Sequence, residues 1–319
     1  MTFQKLEKEL PGLKEKILLK DYTTYKIGGP AKYFFVAKNK KDLVRALNTA
    51  KKFKLPVFIL GGGSNLLISD KGFNGLVIKM DINKVEFLEE CAIAGAGANL
   101  TRLAYLTADN GLSGLEWSAG IPGTVGGAIY GHAQAFGSKI SDSIKSVEAV
   151  DIKTLKIKTF SKKQCQFSLK NSIFKKNKNL AIVSAVLKLQ NKDSDEIKKL
   201  IGEFLKYRKE RHPINFPSAG STFVNPEIKI KNKKLLEKFP ELSEYNKKGI
   251  IPAGYLVSKC GLAGKKIGSA QISDKHSNFI INLGGANAKD VVSLMKAAKI
   301  KVKKTFGINL QTEVQMVGF

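Results

Sequence analysis

VFILGGGSNL, residues 57–66, is the stretch on which the reading of this chain turns. Four residues suited to a buried strand run directly into Gly61, Gly62 and Gly63, followed by Ser64 and Asn65. Glycine at a strand exit costs backbone entropy. Three in a row imply that the backbone must approach something closely, or turn where a side chain would clash. Upstream, KYFFVA (32–37) has strand character, and residues 40–53 place Leu43, Ala46, Leu47 and Ala50 at helical spacing behind a capping Asn39. GLVIKM (75–80) reads as a further buried strand. The glycines therefore close the second strand of a β-α-β unit. Their spacing is not a dinucleotide fingerprint, because Leu66 occupies the place of its last glycine, and the Gly-Lys-Ser/Thr ending of a phosphate-binding P-loop is missing. Two readings stand: a tight turn, or a nest of N–H groups for an anion, with Ser64 and Asn65 as added donors.

Further along, VEFLEECAIAGA (84–95 region) reads as a hairpin, and residues 100–110 as a helix capped by Asn99 and stopped at Gly111. A second glycine-dense stretch follows, GLEWSAGIPGTVGGAIYGHAQAFG (114–137), too long for a plain turn. Its Gly120–Gly127 portion offers another row of N–H donors, and two such loops suit an extended diphosphate. Residues 146–152, 154–160 and 181–190 have strand character, and 195–210 carries Ile197, Leu200, Ile201 and Leu205 on one helical face. RHPINFP (211–217), with two prolines, is the best boundary. Beyond it we expect a helix near 253–260, a strand at 278–282, a helix near 288–303 and a terminal strand at 313–317 that includes Glu313.

The bulk numbers exclude several classes. The chain has 319 residues, 43% of them hydrophobic, which is ample for a core and for two domains. No apolar run reaches the roughly 18 residues of a membrane span, and the charged N-terminal stretch lacks the apolar centre of a signal peptide. A cytoplasmic protein is expected. Three cysteines and three histidines, all scattered, predict neither a disulfide framework nor a metal site. The net charge of +27 raises nucleic-acid binding. Only Arg45, Arg102, Arg208 and Arg211 are arginine, however, and the lysines are spread among acids. That pattern lacks the concentrated Arg forks of base readers. A lysine coat favours anionic small ligands instead, and no nucleic-acid partner is expected.

Six motifs make the resemblance specific: YKIGGPA (25–31), ILGGGSNLLISDKGFNGLVI (59–78), GLEWSAGIPGTVGGAI (114–129), AGSTFVNP (219–226), HSNFIIN (276–282) and FGINLQTEVQMVG (306–318). In this order they resemble the UDP-N-acetylenolpyruvoylglucosamine reductase family over nearly the whole chain. The resemblance implies an α+β fold: a two-part FAD-binding domain of the vanillyl-alcohol-oxidase/PCMH type (residues 1–80 and 81–210) and a C-terminal α+β substrate-binding domain (211–319). It implies FAD and NADPH as cofactors and reduction of UDP-N-acetylglucosamine enolpyruvate to UDP-N-acetylmuramate. The rival expectations are a flavin oxidase of the same fold, a nucleic-acid binder, and a relative that holds FAD without turnover. A monomer is expected.

The resemblance also assigns residues. Tyr25 and Gly28, Gly61, Gly62, Gly63, Ser64 and Asn65, and Gly120, Pro122, Gly123, Thr124, Gly126 and Gly127 would surround FAD. Ser221 matches the family's proton donor, although a lone Ser after Gly is otherwise a turn or cap. Glu313 matches the catalytic glutamate, although its place also suits a solvent-facing strand position. The family stretch C-x-F-x-Y-R-x-S-x-F-K appears here from Cys165 to Lys175 with Leu169 and Lys170 at the Tyr and Arg places. Lys170 keeps the charge and loses the bidentate fork. The flavin loop N-A-G-A-[YF]-G becomes His132-Ala-Gln134-Ala-Phe136-Gly137. His132 is expected to bond the cofactor as Asn would, and Gln134 must tolerate a glycine's backbone angle. Tyr207, Arg208 and Arg211, with Asn225 and Gln271, are candidate substrate contacts; for the two arginines an exposed helix face serves equally. The chain resembles the branch that lacks an extra tyrosine-bearing loop.

Overall fold

The computed structural model describes residues 3–319, and its contacts divide them into two units. The first comprises residues up to Leu18, Pro30–Gly63 and Phe73–Glu210. It holds two sheets. In one, the order is Lys14–Leu18, Pro30–Ala37, Phe73–Met80, Val57–Leu60, with the last two pairings parallel. Parallel neighbours need a crossover. Helix Lys40–Lys52 supplies it, burying Leu43, Ala46, Leu47 and Ala50, and the Asn39 side chain accepts from the Asp42 amide at its start.

The second sheet is antiparallel throughout, in the order Ile157–Ser161, Ile144–Asp151, Leu180–Lys188, Cys91–Gly95, Val85–Leu88. Helices Leu100–Asp109 and Val125–Gly131 share one apolar core with it. The expected strand at 154–160 begins only at Ile157. Asp151 Oδ1 accepts from the amides of Lys153 and Thr154, and Leu155 sits at φ +61°. That local carboxylate turn out-competes extension. The glycine-dense 114–137 stretch is also more ordered than its composition predicts, because it contains helix Val125–Gly131 and a two-residue hairpin pairing Gln134–Ala135 with Ser138–Lys139.

The second unit comprises Leu19–Gly29, Ser64–Gly72 and Arg211–Phe319. Its sheet runs Ser218–Ser221, Phe279–Asn282, Ala270–Ile272, Lys266–Ile267, all antiparallel. Helix Ala288–Phe306 covers its core with Val291, Leu294, Met295, Ala298, Val302 and Phe306, started by an Asn287–Asp290 capping box and ended by left-handed Gly307. Two segments distant in sequence pack with this C-terminal third. Leu66–Ile68 pairs in parallel with Gln315–Val317, and both Asp70 carboxylate oxygens accept from the Ala288 amide at 3.0 Å. The terminal strand therefore starts at Gln315, two residues later than its sequence pattern implies, and Glu313 precedes it. No helix among the described residues is long and apolar enough to cross a membrane.

Candidate functional site

The first glycine bend opens from strand Val57–Leu60. Among the described residues nothing accepts from the amides of Gly61, Gly62 or Gly63. A Cβ on Gly62 would lie 2.6 Å from Gly123 Cα, and one on Gly61 2.9 Å from Thr124 Oγ1. The two bends thus meet backbone to backbone, a closeness only glycine permits. Lys79 Nζ donates to the Gly61 carbonyl at 2.7 Å. Burial pulls the Lys79 pKa down, and Asp81 opposes that pull. A run of uncommitted amides beside an ammonium fits the diphosphate of FAD. On the second unit's side of the chain, the Ser64 amide is likewise without an acceptor. Asn65 is used differently: its Nδ2 donates to Glu313 O at 3.3 Å and its carbonyl accepts from Gln315 N at 3.0 Å. Its side chain thereby holds the terminal segment.

The second bend is mostly bonded to its own unit. Gly120 N donates to Thr101 Oγ1 at 3.0 Å, Val125 N to Ala98 O, Gly126 N to Ala96 O, and Gly127 N to Thr124 Oγ1. Only the amides of Gly123 and Thr124 carry no acceptor among the described residues. Thr124 is the N-cap of helix Val125–Gly131, and Pro122 is exposed. Gly126 is glycine for packing, since a Cβ there would stand 2.8 Å from Ala96 Cβ. A Cβ on Gly120, at φ +76°, would lie 2.8 Å from Leu205 Cδ2 and 3.0 Å from Arg208 Cδ.

Arg208 is the clamp on this bend. Its Nε donates to Ala119 O and its Nη2 to Trp117 O, both at 3.0 Å, and the guanidinium lies 5.0 Å from the Phe136 ring centroid. Burial lowers its pKa. Both of these donors are thus spent on main-chain carbonyls. Tyr207 is half exposed, with its ring edge-on to Phe136, and Arg211 is exposed at the end of helix Ser194–Arg211.

Tyr25 and Gly28 belong to the core of the second unit. The Tyr25 phenol is buried, which pushes its pKa far up, and its carbonyl accepts from Asn282 Nδ2 at 3.0 Å. A Cβ on Gly28, at φ +145°, would sit 3.0 Å from Ile68 Cβ. Both residues are closely packed within this unit.

His132 is a left-handed C-cap (φ 49°, ψ 62°) of helix Val125–Gly131. Its Nδ1 lies 2.6 Å from Ser168 O and its Nε2 2.9 Å from Ser141 Oγ, with the ring stacked on Phe167. Both nitrogens have partners inside the protein. Gln134 needs no glycine-like angle: it pairs with Lys139 in a regular strand, while its buried Nε2 has no hydrogen-bond partner among the described residues. The Cys165–Lys175 loop carries Lys170 at the second place of a two-residue turn, at φ +52°.

In the second unit, Ser221 ends strand Ser218–Ser221, beside left-handed Gly220. Glu313 N donates to the neighbouring Thr222 carbonyl at 2.8 Å, and Val224 N to Gln311 O at 2.9 Å. Two segments far apart in the chain are thereby laid side by side, with Ser221 and Glu313 at their meeting. No group among the described residues bonds Ser221 Oγ. A serine hydroxyl that neither caps a helix nor closes a turn is available for proton transfer. Asn225 is exposed and its Oδ1 accepts from Ala253 N, while Gln271 Nε2 donates to Gly264 O and Asp274 Oδ2. Both amides thus tie down their own unit.

Sequence reasoning missed Lys79, the Arg208 clamp, and the His212–His276–Phe279 ring cluster, whose centroids lie 4.9–5.5 Å apart. None has a local signature; each depends on partners from elsewhere in the chain. Among the described residues no group of three His, Cys, Asp or Glu is placed to hold a metal ion.

Two family models match the chain. Residues 31–160 match the FAD binding domain, and residues 212–317 match the C-terminal domain of UDP-N-acetylenolpyruvoylglucosamine reductase. The chain is 38% identical to the UDP-N-acetylenolpyruvoylglucosamine reductase of Clostridium novyi, over 96% of this chain and 92% of that protein. It is 35% identical to the same-named protein of Anoxybacillus flavithermus, over 98% and 97%. The crystal structure of UDP-N-acetylenolpyruvylglucosamine reductase (MurB) from Thermus caldophilus superposes with a TM-score of 0.76 at 30% identity, covering 96% of this chain and 99% of that one. With its full length matched and each half carrying the corresponding domain, the chain belongs to the UDP-N-acetylenolpyruvoylglucosamine reductase family.

Proposed function

We propose that this protein is an NADPH-dependent flavoenzyme that reduces UDP-N-acetylglucosamine enolpyruvate to UDP-N-acetylmuramate, in the making of peptidoglycan precursors. The observation that carries the reading is a Ser221 hydroxyl with no partner among the described residues, next to the Thr222 carbonyl that bonds Glu313 N, in a chain matched over 96% of its length by a reductase of that name. FAD, when bound, supplies the hydride chemistry that links NADPH to the enolpyruvyl group.

The chain's own residues divide the remaining work. The amides of Gly61–Gly63, with those of Ser64, Gly123 and Thr124, hold the diphosphate, and the Lys79 charge favours it. Reduction at the enolic β-carbon leaves negative charge on the α-carbon and its carboxylate. Lys170 offers a positive charge to that carboxylate, as a point charge without a fork. Ser221 gives its proton to the α-carbon. A serine hydroxyl is a weak acid, so the donation depends on the basicity of the carbanion beside it. Glu313 assists at the same centre. Tyr207 and Arg211, both exposed, contact the sugar nucleotide. We assign the chain to the cytoplasm as a monomer, without a nucleic-acid or membrane partner. Residues 1–80 and 81–210 act as the two parts of the FAD-binding domain, and 211–319 as the substrate-binding domain.

The test is NADPH consumption by the purified yellow protein, with and without the enolpyruvyl sugar nucleotide. Consumption that depends on the sugar nucleotide, and falls by at least about 10³-fold in Ser221→Ala, is expected. Rapid reoxidation by oxygen without the sugar would instead identify a flavin oxidase.

A further inference from the structure

The strained turn that carries Lys170 is held by a ring that the proposed chemistry leaves unused. Ser168 and Asn171 exchange both main-chain hydrogen bonds at 3.0 Å, so Leu169 and Lys170 form a two-residue tip. Lys170 sits there at φ +52°, a conformation that L side chains adopt rarely and at a cost. Such a conformer persists only where its surroundings over-determine it. Two side chains bond the turn's main chain, His132 Nδ1 at the Ser168 carbonyl (2.6 Å) and Lys175 Nζ at the Lys170 carbonyl (2.8 Å), and Ser172 Oγ anchors the residue after the turn to Tyr130 O at 2.8 Å. The His132 bond is the shortest of the three.

A carbonyl has no proton to give, so Nδ1 carries the hydrogen and donates. In the neutral ring Nε2 then accepts from Ser141 Oγ at 2.9 Å. Phe167 covers one face of the ring, with 4.9 Å between centroids. The ring is therefore fixed at three sides, and what it fixes is the base of the Lys170 tip. The charged groups that face it are Lys139, Asp142 and Lys170. Burial keeps the ring neutral, so it braces the tip without adding a like charge beside the lysine.

We propose that His132 is a positioning residue, which orients Lys170 by donating from Nδ1 to the Ser168 carbonyl. A lysine at this place needs such a brace more than an arginine would. Its charge is a point on a flexible four-carbon stem, whereas a guanidinium fork orients itself on a carboxylate. The inference rests on the reading of Lys170 as the substrate-facing cation.

The test is a double-mutant cycle. His132→Gly removes the ring while suiting the left-handed backbone, so it separates loss of the brace from backbone strain. His132→Asn keeps an N–H donor at the same branch position as Nδ1. H132G is expected to lower kcat about tenfold with the NADPH KM unchanged, and to change kcat less than about twofold in a K170A background. H132N is expected to stay within about threefold of wild type. Amide hydrogen exchange at Ser168 and Asn171, read without turnover, is expected to rise in H132G and stay slow in H132N. Multiplicative effects of H132G and K170A, or H132N no better than H132G, would overturn the positioning role while leaving Lys170 in place. K170A at the wild-type rate would overturn both.

Discussion

The two glycine-dense bends have similar composition and opposite uses. At Gly61–Gly63 the amides have no acceptor among the described residues, and a Cβ on Gly62 would meet the Gly123 backbone. At Gly120–Gly127 four amides are already bonded to Thr101, Ala98, Ala96 and Thr124, and the glycines fit a helix against a strand. Glycine density therefore marks close approach, and whether the approach serves a ligand or the core is decided by where the N–H groups go.

That contrast is open to attack at several points. Gly62→Ala should have the largest effect. Its Cβ would lie 2.6 Å from Gly123 Cα, with no flexible side chain to yield. FAD affinity should fall about 100-fold, near 2.7 kcal/mol, measured by titration of the apoprotein. Unchanged affinity would mean that the first bend does not grip the cofactor. Gly126→Ala is the mirror experiment. Its Cβ would stand 2.8 Å from Ala96 Cβ, so folding stability should drop by about 2 kcal/mol in denaturant unfolding, with flavin affinity nearly intact. Thr101→Val removes the acceptor of the Gly120 amide and the donor to Ile121 O. A loss of about 1 kcal/mol is expected, again in stability more than in flavin binding.

The smallest effect is one of pH. Burial holds His132 below the ordinary 6.5, helped by Lys139 and Lys170 and opposed by the Ser168 bond and Asp142. The unfolded chain then binds the proton more readily than the folded one. The ring's contribution is complete above pH 6.5 and is lost as the pH falls from there through the lower folded-state value. Between about pH 7 and pH 5 the wild type should lose more stability than H132N. Equal losses would show that the ring after the second bend is not buried neutral.

Much of the outline was legible in one dimension. Helix Lys40–Lys52 and helix Leu100–Asp109 follow from apolar spacing behind Asn39 and Asn99, and both caps form. The boundary near residue 211 follows from the prolines, and the contacts divide the chain there. Side-chain duties were less legible. Asn65 and Arg208 carry the right donors for phosphate and substrate, yet bond the main chain at Glu313, Ala119 and Trp117. Tyr25 sits in a glycine-rich motif and is nevertheless core. A donor's chemical type is written in the residue, whereas its partner is set by what the fold brings within about 3 Å.

Periodicity, capping residues, glycine runs and motif order are local properties of the chain, and by themselves they determined the element types, the family and the chemistry at issue. Only the tertiary structure decided which amides stay uncommitted, that Leu19–Gly29 and Ser64–Gly72 pack with the C-terminal third, and that His132 faces Ser168. The physical reason is range. Propensity and pattern act over a few residues, while hydrogen-bond partners and close contacts are chosen between segments tens to hundreds of residues apart.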